Sequence, residues 1–106
     1  MENEKIQQIQ FLEQNLQGIM MQKQSFQMEV NETLSALEEI EKSKEDVYKL
    51  IGQIMIKVSK EKIKEDLQNK EKLLGIKIKS LEEQEISLNS QLNKIKEEVL
   101  GSLKKE

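Results

Sequence analysis

The residues able to do chemistry in this chain are few in kind. There is no histidine and no cysteine. The usual general base near neutral pH, the commonest metal ligand, the thiolate nucleophile and any disulfide are therefore excluded. Carboxylates and lysines remain. Glu82-Glu83 with Glu85 is a dense acidic group that suggests a cation site. Adjacent residues on a helix point apart, however, and a solvated face accounts for them. Lys62-Lys64, Lys70-Lys72 and Lys77-Lys79 suggest a basic track, but Glu61, Glu65 and Glu71 are interleaved and make it ordinary solubilising charge. Catalysis by Glu or Lys needs a pocket that shifts its pKa, and extended helices offer none. Gly18, Gly52, Gly75 and Gly101 stand alone, with no G-x-x-x-x-G-K-[ST] loop for a nucleotide. The expectation is a non-enzyme with no metal and no cofactor.

The same arithmetic bounds the partners. Of the 106 residues 35% are charged, 36% hydrophobic and 3% aromatic, and proline, tryptophan and arginine are absent. Glu, Lys, Gln, Leu and Ile dominate, as in long helices that share a seam. A net charge of −3 without arginine argues against DNA or RNA, which call for a basic face. No apolar run approaches the roughly 20 residues of a membrane span. The acidic Met1-Glu2-Asn3-Glu4 precedes no signal-peptide core. The expected location is cytoplasmic.

Three segments position these residues. From Asn3 to Ser43, apolar side chains recur at alternating spacings of three and four: Ile9, Leu12, Leu16, Ile19, then Phe26, Val30, Leu37 and Ile40. This is one stripe on a helix about 60 Å long. Lys23 and Thr33 interrupt it, and a polar seam residue can fix register or partner number. From Lys60 to Lys104, Leu67, Leu74, Leu81, Leu88 and Ile95 repeat every seven residues, joined by Ile78, Leu92 and Val99, while Glu71 and Glu85 interrupt. Ser59 is placed as the N-cap, with Glu61 in the first turn. Residues 1–45 carry nine acidic and four basic groups (net −5), and residues 60–106 ten and eleven (net +1). That asymmetry favours the two helices lying alongside one another.

Between them, Val47-Tyr48-Lys49-Leu50-Ile51-Gly52-Gln53-Ile54-Met55-Ile56-Lys57-Val58 abandons the helical repeat for β-branched and apolar residues. Gly52-Gln53 suits a type II′ turn. Ile51 then faces Ile54, Lys49 faces Ile56 and Val47 faces Val58. The predicted fold is mainly α, an antiparallel two-helix coiled coil joined by a β-hairpin, with Ile40 near Ile63 and Ile9 near Ile95. The hairpin stands at one end and both termini at the other. A lone two-stranded ribbon is marginal in water, and this one is apolar on both faces with two unpaired edges. Fully burying a Val, Leu or Ile side chain contributes roughly 1.5–3 kcal/mol. Association of hairpins from several chains into a shared sheet or barrel is therefore expected, through Val47, Tyr48, Leu50, Ile51, Gly52, Ile54, Met55, Ile56 and Val58.

The run Val47-Tyr48-Lys49-Leu50-Ile51-Gly52, then Ile54-Met55-Ile56-Lys57-Val58, resembles the hairpin of β-class prefoldin subunits. Those read V-Y-K, two apolar residues and Gly, then an apolar run with Lys. Gln22-Lys23-Gln24 and Glu38-Glu39-Ile40 are similar to that family's first helix. Gln53 departs from the Pro that relatives often carry, and the short tail Lys104-Lys105-Glu106 departs from longer relatives. Room for a single hairpin resembles the β class, in its archaeal form; the likeness covers nearly the whole chain, and residues 1–106 are expected to be a single prefoldin-like domain. The resemblance implies a heterohexamer with a prefoldin α subunit, two α and four β, built on a β-barrel platform. It further implies ATP-independent capture of unfolded proteins at coiled-coil tips and their transfer to a group II chaperonin.

The substrate-binding expectation falls on apolar residues that the seam leaves over: Ile6 and Phe11 in the first helix, Leu100 and Leu103 in the second, and Met1. Non-directional attraction from exposed apolar groups suits promiscuous holding. Scattered exposed apolars are also normal on any surface. Met20-Met21 reads as packing beside Ile19, with Gly18 permitting close approach. The alternative function is a structural coiled-coil adaptor that binds one defined partner.

Overall fold

The structure is a computed structural model, which describes residues 2–104 and the side chains of 3–103. Four elements follow in order: α1 (Glu2–Lys42), β1 (Val47–Ile51), β2 (Ile54–Val58) and α2 (Lys60–Lys104). They fall into two compact units, one from 1–25 with 78–106 and one from 26–77.

The first unit is a helix pair held by the heptad stripe. Leu12, Leu16 and Leu92 form its buried centre, with Ile9, Leu88 and Ile95 packed against it. Ile19 and Leu81 are buried as well. The helices run antiparallel, because charged partners advance along α1 as they retreat along α2. Lys5 pairs with Glu98 at 3.5 Å, Glu13 with Lys96 at 3.5 Å and Lys23 with Glu85 at 3.3 Å. Ile9 and Ile95 share one cluster, as counting outward from the hairpin predicts.

The second unit contains the hairpin and the helix ends that flank it. α1 stops at Lys42, where Ser43 N–H still reaches the Glu39 carbonyl at 3.0 Å. The Ser43 hydroxyl then takes the Glu45 N–H at 3.2 Å and turns the chain out of the helix. Ser59 caps α2: its hydroxyl accepts the Lys62 N–H at 3.4 Å, the third position of the helix. Leu74 is buried in this unit. So is Thr33, only 4% exposed, whose hydroxyl donates to the Glu29 carbonyl at 2.7 Å. That bond lets a polar residue occupy the seam without a partner from the other helix.

β1 and β2 pair antiparallel in the register Val47↔Val58, Tyr48↔Lys57, Lys49↔Ile56, Leu50↔Met55 and Ile51↔Ile54. Gly52 has φ of +61°, while no non-glycine among the described residues has a positive φ. One left-handed residue at the first central position fits type II′ and excludes type I′, which needs two. Replacing Gly52 by Ala forces an L-residue into that region at a cost of about 1–2 kcal/mol. The expected result is a lower denaturation midpoint for the Gly52→Ala chain; an unchanged midpoint contradicts the turn.

Glu41 and Lys64 join α1 to α2 within this unit as an ion pair. The Lys64 ammonium, first by hydrogen bond and then by charge, holds the Glu41 carboxyl below the ordinary glutamate range. A carboxyl lowered on folding adds stability above its unfolded-chain pKa and loses it as pH falls through the lowered value. Both side chains are well exposed to solvent, at 40% and 55%, so the contribution is small. In an NMR titration the Glu41 carboxyl should have a midpoint lower than that of an unpaired glutamate, and Lys64→Gln should return it to the ordinary range. A midpoint indifferent to Lys64 rules the pair out.

Candidate functional site

Two surfaces expose large apolar side chains, one in each unit. In the second unit the hairpin presents its apolar side chains to solvent. Tyr48, Leu50, Ile51, Ile54, Met55 and Ile56 are each 45–67% exposed. Val47 and Val58, at the helix-proximal end, are half-buried. Lys57 reaches sideways to Asp46 at 3.3 Å, so the ribbon's charge is partly spent at its base. β1 and β2 form a two-stranded sheet, and each strand therefore has an outer edge of unpaired N–H and C=O groups. The ribbon thus offers both a sheet template and apolar area, the combination that strand-to-strand association uses.

In the first unit, Ile6, Phe11, Leu100 and Leu103 are 44–64% exposed. The stripe of Ile9, Leu12, Leu92 and Ile95 is consumed by packing, which leaves these four outside the seam. The Lys5–Glu98 pair ties the two helices together in this region. Met1 lies outside the described residues.

The two methionines depart from expectation. Met20 and Met21 are 56% and 71% exposed, not packed. With Gln17 and Gln24 they line a shallow hollow of about 250 Å³. Gly18 has nothing within 4 Å of the point where a Cβ would stand, so no close approach explains it. A second, open groove of about 510 Å³ runs past Gln14, Asn15, Gly18 and Gln22 to Gln84 and Leu88. Its lining holds amides and apolar groups but no titratable one, so it supplies nothing for acid–base work. The pairing of Lys23 with Glu85 was also missed by sequence reasoning, which noted both as separate seam breaks. Heptad positions alone gave the signal: both are seam residues of opposite charge.

Among the described residues no group of three or more carboxylates is placed to hold a metal ion. No helix among them is long and apolar enough to cross a membrane.

Comparison with known proteins agrees with this geometry. A family model described as prefoldin subunit matches residues 3–106. The prefoldin subunit beta of Thermococcus onnurineus is 36% identical over 99 residues, which cover 92% of this chain and 85% of that one. The prefoldin subunit beta of Pyrococcus furiosus is 33% identical over 99 residues, with the same coverage of 92% and 85%. The crystal structure of the prefoldin beta subunit from Thermococcus strain KS-1 superposes with a TM-score of 0.88 at 33% identity, covering 96% of this chain and 91% of that one. The sequence, the hairpin between two long helices and the fold all agree: the chain belongs to the prefoldin subunit family and is a chaperone subunit of its β type.

Proposed function

We propose that this chain is the β subunit of a hexameric, ATP-independent holdase containing two prefoldin α and four β subunits. The exposed apolar hairpin carries this reading. Six large apolar side chains on ten strand residues stay in solvent in the single chain, and adding strands from other subunits at the two edges covers them. A closed barrel removes those edges altogether.

The arms then hold unfolded polypeptides through Ile6, Phe11, Leu100, Leu103 and Met1. Each contact is weak and non-directional. Several arms around one client raise the effective concentration, so a chain that one arm releases is retained by the others. Nothing in this mechanism consumes a nucleotide. The carboxylates and lysines serve as solubilising charge, which fits a non-enzyme, and the client passes to a group II chaperonin in the cytoplasm.

Two measurements test the reading. Leu50 and Met55 face each other across the hairpin, so Leu50→Glu with Met55→Lys keeps a cross-strand pair while making that face hydrophilic. Native mass of the wild-type chain mixed with an α-class subunit should give a hexamer. The double variant should remain unassembled with its helical circular dichroism intact, and an assembled variant defeats the proposal. For client holding, Ser at Ile6, Phe11, Leu100 and Leu103 should reduce suppression of aggregation several-fold, without ATP and with the hexamer intact. Undiminished protection means the tips are not the site. If the wild type protects no unrelated client, the adaptor role is correct instead.

A further inference from the structure

We infer that the Lys23–Glu85 ion pair selects which helix packs with which, admitting α1 against α2 and rejecting α1–α1 and α2–α2 pairing between copies of this chain. Lys23 Nζ donates to Glu85 Oε2 at 3.3 Å, and the two side chains are 31% and 27% exposed. Both occupy seam positions of the first unit, within a stripe whose other layers, such as Leu12, Leu16, Leu88 and Leu92, are aliphatic. Aliphatic layers of similar size accept one another indiscriminately, and α1 of a second copy offers the same stripe as α2. The ion pair does not have that tolerance. In a parallel α1–α1 pairing Lys23 meets Lys23, and in α2–α2 Glu85 meets Glu85. Antiparallel versions separate Lys23 from Glu85 and set each charge at another layer of the stripe. A charge half removed from water is costly when unpaired, and rejection of a wrong partner by such means is how coiled coils gain specificity.

Two further observations point the same way. Thr33, another polar seam residue, is satisfied by its own helix through the Glu29 carbonyl, so it carries no information about the partner. The charge excess of residues 1–45 (net −5) against residues 60–106 (net +1) also favours mixed over like pairing. Selection matters because the assembly proposed above crowds copies of both helices together; the pairing in the single chain does not depend on that reading.

The test uses the full-length chain in two parts. Lys23→Glu and Glu85→Lys, each alone, should lower Tm by about 5 °C, and the two together should recover most of the loss. Failure to recover overturns the pairing. Because the chain lacks cysteine, Leu16→Cys places a single thiol in the seam. Under mild oxidation it should give little disulfide between copies. In a background of Lys23→Leu with Glu85→Leu the disulfide between copies should rise several-fold while Tm is held or raised. An unchanged yield overturns the selector role even if the thermal cycle shows coupling. Native mass of the same samples reports separately whether the hairpin assembly forms.

Discussion

Two five-residue strands cannot bury their own side chains, and the rest of this molecule is arranged around that fact. Every residue of the ribbon between Tyr48 and Lys57 is exposed in the single chain, and most of those residues are apolar. A hairpin of this kind gains little from its own backbone bonds, because water competes for them. In the assembly proposed above, its free energy improves mainly through the area it shares with other ribbons. The connection between the helices is therefore also the place where the chain is least complete by itself.

The helices meet a different requirement. A two-helix pair has one seam and no second layer, so each buried leucine carries a large part of the stability of its unit. Leu12, Leu16 and Leu92 supply that centre, and ion pairs such as Glu13–Lys96 border it at small individual value. The polar seam residues are tolerated because each has a local solution: Thr33 binds its own backbone, and Lys23 finds Glu85. A narrow seam also leaves many apolar groups outside. In a compact globular protein Phe11 or Leu100 exposed to this degree needs no explanation singly. On the function proposed above, the same residues are the surface for holding non-native chains.

Much of the architecture is legible in the amino-acid sequence. The change of period at Val47, the isolated Gly52 and the capping Ser59 located the hairpin and its register, because turn chemistry and strand alternation are local properties. The flanks of the seam were not legible. Met20 and Met21 sit beside Ile19 in sequence, yet a heptad count says which residues meet the partner helix and not what covers those beside them. The Lys23–Glu85 and Glu41–Lys64 pairs join residues more than twenty positions apart in sequence, so they needed an alignment of the two helices. The function itself came from the likeness of Val47–Val58 to a family; physics alone led to an associating hairpin with exposed helix ends.

Tyr48 is the chain's single tyrosine, and tryptophan is absent. It stands on β1 with half of its surface in water. The near-ultraviolet emission of the whole polypeptide thus arises at one spot on the ribbon, since the two phenylalanines contribute almost none. The exposed apolar ribbon thus carries its own fluorophore, and the long helices are optically silent.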